Sequence, residues 1–283
     1  MQASISGVKY ANRQRAVWGM TKVAILLTAM TMGLLTGCGE RIEGCLDTAA
    51  TNFEVDADRN CCCEYPQLRL AVFPRTDTIE EAAFRANDTV FGALDTFIVR
   101  EVRFVLSSFE LVRSDGTTLL TTDSIVLPLV DGTSFVAVDD YVVTRLSGFD
   151  YTVGTLPAFG AFDSLRFTVG ILPPASRTEP LDLPSDHPLA DTTLFDDALL
   201  EYYAANVVVT PDIAADSINT NLPLRSTRTI AIPIDLVAEP SEDLTVTLRL
   251  YYTYLFEGID FGSMSELAIL QQLSVNLDRV FVP

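Results

Sequence analysis

The chain is 283 residues long and carries 38 acidic side chains against 19 basic ones, with one histidine and a net charge of −19. A balance this acidic argues against nucleic-acid binding and against direct adhesion to anionic lipid headgroups, because both need a basic surface. Its five cysteines all precede Glu64, so the long remainder of the chain must be held by its core alone.

The first element in chain order is the apolar run "VAILLTAMTMGLLTG" from Val23 to Gly37, preceded by Lys22 and with no acid before Glu40. It is too short to span a bilayer stably and has the layout of a secretory signal. Met20 lies at the distance an ordinary signal would start from. The run ends in Leu35-Thr36-Gly37-Cys38, which resembles the bacterial lipobox, where the cysteine is diacylated and the chain is cut just before it. The resemblance implies a signal peptide over residues 1–37, lipidation at Cys38 and an outer-membrane lipoprotein of unassigned leaflet. Removal of the leader takes away four basic groups and no acids, leaving a net charge of −23.

Residues 38–66 form an expected neck. An exported chain meets an oxidising compartment, so Cys45 and the triplet Cys61-Cys62-Cys63 are expected to be bridged rather than reduced. Four cysteines allow three connectivities, and spacing alone leaves them open. One bridge from Cys45 into the triplet closes a loop of roughly 17 residues, worth about 3 kcal/mol in the loop-entropy model. Asp47, Asn52, Asp56, Asp58 and Asn60 place oxygen ligands at short intervals, as hard-cation loops do, which makes calcium a candidate there although the spacing and glycine of an EF-hand loop are missing. The neck as a whole, "GCLDTAATNFEVDADRNCCCEY", resembles a short cysteine-bounded repeat of surface and secreted proteins of the Bacteroidota. The matching residues include Gly44, Cys45, Asp47, Asn52, Cys63 and Tyr65. The resemblance implies that Cys63, in the repeat's terminal position, is the partner of Cys45. Asn60-Cys61-Cys62 stand where the repeat has Asp-Gly-Ser.

From residue 67 to 283 the hydrophobic period is two. Leu68, Leu70 and Val72, then Leu165, Phe167, Val169 and Ile171, then Leu244, Val246, Leu248 and Leu250 each alternate with polar neighbours, as strands with one buried face do. In Val102 to Val112 the apolar set changes parity between Leu106 and Phe109, which predicts a bulge at Ser107-Ser108. Ser114-Asp115-Gly116 and Asp131-Gly132 predict hairpin turns, and Pro233 within a strand predicts a sheet edge. A short helix is expected over Leu267 to Leu273 behind the capping spacing Ser263…Glu266, and a second over Thr192 to Ala204. Continued alternation places Tyr252 and Tyr254 in the core and Tyr251 outside. The fold class is all-β: an antiparallel β-sandwich with long loops and one or two short helices.

"VREVRFVLSSFELVRSDG" from Val99, "FDSLRFTVGI" from Phe162, "HPL" from His187 and "LFEGIDF" from Leu255 follow in an order that resembles the MbnP-like domain. That family is named for a periplasmic copper-binding protein, and many of its members are Bacteroidota lipoproteins. The resemblance implies copper handling through histidine and a tryptophan-derived ligand. This chain departs from it, because its one tryptophan, Trp18, lies in the leader and its one histidine is His187. Asp186, His187 and Asp191 together offer a poor divalent site.

Catalytic motifs are missing: there is no Gly-x-Ser-x-Gly, no P-loop, no Gly-x-Gly-x-x-Gly and no His-Glu-x-x-His. The expectation is therefore a non-enzymatic, lipid-anchored binding protein whose partner is a metal ion or an envelope protein, with calcium a possible cofactor and copper a weaker one. A copper-handling protein and a carbohydrate-active enzyme or its accessory binding module are the alternatives.

Overall fold

A computed structural model describes residues 41–91, 96–211 and 219–281. Its contacts divide the chain into two compact units. Of the described residues, one unit holds 41–46 and 54–62 and the other holds 47–53 and 63–281. Lipidation at Cys38 and the signal segment lie outside the described residues.

In the smaller unit β1 (Glu43–Gly44) pairs in parallel with β2 (Arg59–Asn60). Two stretches this short cannot stand alone, and side chains complete the pairing: Asp58 accepts from the Ile42 N–H at 3.2 Å and Asn60 from the Leu46 N–H at 2.9 Å.

The larger unit is all-β, with one substantial helix. Its first strands are β3 (Gln67–Arg75), β4 (Thr89–Phe91), β5 (Thr96–Val112), β6 (Thr118–Leu119), β7 (Ser124–Pro128), β8 (Ser134–Val138), β9 (Val142–Val143), β10 (Phe149–Thr155) and β11 (Gly160–Val169). After a long loop come β12 (Phe195–Asp196), β13 (Glu201–Tyr202), β14 (Ala205–Thr210), β15 (Thr220–Leu224), β16 (Arg228–Ala238) and β17 (Leu244–Tyr251). The helices α1 (Tyr252–Leu255) and α2 (Glu266–Val280) follow.

The main sheet runs β15-β14-β5-β11-β16, with β4, β6 and β9 also paired to the long β5. A second sheet runs β10-β3-β17, antiparallel on one side of β3 and parallel on the other. Alternation works as the sequence predicts: Leu68, Leu70 and Val72 of β3, Leu165 and Phe167 of β11 and Val246 and Leu248 of β17 are all buried in one shared core. Both outer strands of the main sheet carry a proline, Pro223 in β15 and Pro233 in β16. Neither edge therefore offers a full row of N–H donors to another chain.

The bulge also falls where the parity change predicts it. Between the pairs Arg166–Glu110 and Thr168–Ser107, β11 has one residue and β5 has two, and Ser108 takes φ +56°. The extra residue returns Phe109 and Leu111 to the core face that Leu106 occupies, and all three are buried. Both hairpin turns form as expected, with Gly116 and Gly132 each at φ +81°.

The outer face of the main sheet is covered by the loop between β11 and β12. Leu183, Leu189 and Leu194 from that loop pack on Val105 of β5, Leu127 of β7 and Tyr141 to form a second, smaller core. This explains why β5 from Val102 to Ser107 is buried on both faces.

Three local expectations need correction. Residues 192–204 are not a helix but a 3-10 turn, Thr192–Leu194, followed by the β12–β13 hairpin. The Asp196 carboxylate accepts from the N–H groups of Ala198 and Leu199 and so offers the backbone a turn instead. The C-terminal helix is twice as long as expected and is capped by Ser265, whose Oγ accepts from the Ala268 N–H, rather than by Ser263. Its Leu273, Leu277 and Val280 join the main core, which is what extends it. Finally, β17 ends at Tyr251 and α1 begins at Tyr252, so the alternation stops there. Tyr251 is buried beside Tyr252, while Tyr254 is only half-buried.

Candidate functional site

The loop over the main sheet holds His187 at the start of a 3-10 turn, Pro188–Ala190. The backbone N–H of Leu189 donates to His187 Nδ1 at 3.1 Å, so that nitrogen carries no proton in the neutral ring. The proton is on Nε2, which faces Asp139 Oδ1 at 3.1 Å and donates to it. Tyr141 packs edge-on against the imidazole with centroids 6.0 Å apart. Burial, reinforced by Asp140 and Asp139, holds the Tyr141 hydroxyl far above its ordinary range, so it stays protonated.

Asp191, four residues on, is equally engaged. Its Oδ2 accepts from Arg103 Nη1 at 2.6 Å, and its Oδ1 accepts from the Thr193 N–H and hydroxyl. Arg103 projects from β5 into the second core, and its Nε lies 3.0 Å from Glu101 Oε1 without the alignment of a hydrogen bond. Asp186 is exposed at the rim. A cleft of about 590 Å³ opens here, lined among others by Tyr141, Arg145, Tyr151, Asp186 and His187. Asp186, His187 and Asp191 thus border one cleft, but the imidazole and Asp191 are already fixed by protein partners.

In the neck, the side-chain oxygens proposed for calcium carry backbone donors. Asp47 accepts from the Ala49 N–H at 2.9 Å and from the Tyr65 hydroxyl at 3.0 Å, and Asn52 accepts from the Glu64 N–H at 2.9 Å. Donating to the Asp47 carboxylate raises the Tyr65 hydroxyl above its ordinary value. Asp58 and Asn60 close the β1–β2 unit as described, and Asp56 is exposed. Among the described residues no group of three or more His, Cys, Asp or Glu side chains is placed to hold a metal ion.

Cys45 and Cys63 are the disulfide-bonded pair. Cys61 and Cys62 lie side by side with sulfurs 2.8 Å apart, Cys62 at φ +57°, and the Cys61 thiol is pushed up chiefly by its bond to the Cys62 sulfur.

The residues that sequence reasoning missed are Asp139, Asp140 and Arg103. Asp139 and Asp140 stand adjacent in a loop with no motif around them. Arg103 sits at a position whose parity places it off the main core face, a signal that the second core hides.

No family model matches the chain, and no curated protein matches it. Among solved structures it is similar to MbnP from Methylosinus trichosporium, at 15% identity over 68% of this chain and 78% of that one, with a TM-score of 0.42. A likeness of that size carries no argument about ligand or chemistry.

Proposed function

We propose that the chain is exported, acylated at Cys38 and held at the outer membrane, where its β domain acts as a non-catalytic binding protein. The observation that carries the reading is the state of His187. The only imidazole in the chain has one nitrogen accepting from Leu189 and the other donating to Asp139. Both ring nitrogens are engaged in holding a loop, which supports a structural role for the ring over proton transfer or metal ligation. A cleft with polar and aromatic lining beside such a fixed loop suits recognition.

The anchor is tested by palmitate labelling and fractionation of the full-length protein beside Cys38→Ser. Label and membrane association that vanish in the variant support the reading, and an unlabelled wild-type protein removes it. A copper-handling role of the MbnP-like type is the second reading, and it rests on the sequence motifs alone. It requires copper to displace the Leu189 N–H from Nδ1 or Asp139 from Nε2. A copper titration that shifts the Leu189 amide resonance would favour it over the first.

A further inference from the structure

A second cleft, of about 690 Å³, adjoins the His187 cleft and shares Phe149 and Asp150 with it. Its charge runs against that of the protein. Arg75 and Arg85 line it, and among the described residues Asp150 is the only acid that does, in a chain where acids outnumber bases two to one. Six arginines of the described residues are ion-paired, Arg59, Arg69, Arg103, Arg166, Arg225 and Arg279. Neither arginine of this cleft is among them. Among the described residues the Arg75 side chain donates only to the Glu81 carbonyl, at 3.2 Å, and its buried Nε has no partner there. Arg85 is exposed, as is Arg145 across Phe149 in the neighbouring cleft.

Apart from Ser147 and Gly148 the remaining lining is apolar, with two rings open to solvent: Phe73 is 43% and Phe149 51% exposed. The Arg75 guanidinium lies 5.7 Å from the Phe73 ring centroid, which holds the cation and the ring side by side. The rim is built to close tolerance. Gly148 takes φ +67°, and a β-carbon there would lie 2.9 Å from the Val72 carbonyl oxygen and 3.1 Å from Pro74 Cδ. A guanidinium fork without a carboxylate partner matches an oxyanion on a ligand, and exposed rings match a flat apolar or pyranose face. The volume is that of an ordinary small-molecule site.

We infer that this cleft binds a small carboxylate with a flat apolar or sugar-ring face, held by Arg85 and Arg75 and stacked on Phe149. A uronic acid residue of an acidic glycan is the class that fits both features. The inference deepens the binding reading above and rests on it only in taking the ligand to be held without covalent change.

The test is calorimetric titration of the detergent-solubilised full-length protein with trigalacturonate, benzoate and neutral maltotriose. Saturable binding of trigalacturonate, absent with maltotriose, is expected, weakened at least tenfold in Arg85→Gln and in Phe149→Ala with near-ultraviolet circular dichroism unchanged. Benzoate binding with the same dependence on Arg85 keeps the site but assigns it to aromatic acids. Silence of both carboxylates, equal binding of maltotriose, or indifference to Arg85→Gln overturns the inference. These outcomes are independent of the palmitate label, so the cleft and the anchor fail separately. Trigalacturonate recovered cleaved would overturn the non-catalytic reading while leaving the site in place.

Discussion

The carboxylate of Asp140 accepts the N–H of Phe109 at 2.7 Å, and its other oxygen accepts that of Ser108 at 3.1 Å. The bulge in β5 leaves those two donors without a ladder partner, and one buried side chain from outside the strand satisfies both. Asp140→Ala removes the partner and keeps the bulge. It should cost about 1–3 kcal/mol for each buried donor left unpaired. Urea unfolding of the variant measures this, and a loss near zero would mean that solvent or a shifted strand replaces the carboxylate.

The same residue gives stability a pH dependence of unusual sign. Burial pushes the Asp140 carboxyl above its ordinary 3.8, against the pull of the Phe109 and Ser108 N–H groups. The folded state thus binds this proton more tightly than the unfolded state. Its contribution is fully present below 3.8 and is lost as pH rises through the raised value. Asp115, Asp131 and Asp260 behave in the opposite way. Hydrogen bonds from Thr117, Thr133 and Ser263 hold their carboxyls low, so their contribution is present above the ordinary value and lost as pH falls through the depressed ones. Stability should therefore fall steeply in strong acid and decline gently on the neutral side of 3.8. Thermal melts across pH should show that Asp140→Asn removes the gentle decline and leaves the acid limb.

His187 should be found as the Nε2–H tautomer. Its Nδ1 accepts from the Leu189 N–H and its Nε2 faces Asp139, so in the neutral ring the two nitrogens must have distinct shifts in nitrogen-15 spectra. His187→Ala also removes the cap of the Pro188–Ala190 turn and should cost about 1 kcal/mol. Spectra showing the proton on Nδ1 would break this account of the loop.

The Cys45–Cys63 pairing gives the cysteine triplet an order that peptide mapping can check. Cys61→Ser and Cys62→Ser should leave the non-reducing map unchanged. Cys45→Ser should lower the stability of the neck by about 3 kcal/mol, the loop-closure value for a bridge of this span. A map in which Cys61 or Cys62 takes over the bridge in wild-type protein would contradict the pairing.

The strands were legible in the sequence because β-sheet burial repeats every two residues and leaves its mark on neighbours in the chain. The bulge was legible for the same reason: Leu106 and Phe109 cannot share a face unless one residue is extra. Residues 192–204 carry a false helical signal because Leu194, Ala198 and Tyr202 keep a helical spacing by accident, while the deciding group, the Asp196 carboxylate, acts on the N–H groups of Ala198 and Leu199. The length of α2 depended on a core it shares with β14 and β17, which no local pattern contains. The acidic neck residues have the intervals of metal ligands, yet Asp47, Asn52, Asp58 and Asn60 hold backbone N–H groups. The same short side chains serve both purposes, so composition cannot separate them. The arginine-lined cleft gathers residues from β3, the segment after it and the loop before β10, and only the fold brings these together.

Gly148 and Gly116 separate two reasons for a glycine. Both take a left-handed backbone, φ +67° and φ +81°, so alanine at either position meets a penalty of about 1–2 kcal/mol. At Gly116 a β-carbon would have nothing within 4 Å, and that backbone penalty is the whole effect. At Gly148 the β-carbon would press on the Val72 carbonyl at 2.9 Å, and backbone cannot give way as a flexible side chain can. The loop must then lift from β3 and carry Phe149 with it. Gly148→Ala should therefore destabilise the protein clearly more than Gly116→Ala in parallel urea melts. It should also weaken trigalacturonate binding, which Gly116→Ala leaves unchanged. Equal losses in the two variants would show that the rim yields freely, and the cleft would then lack the fixed shape that the binding proposal requires.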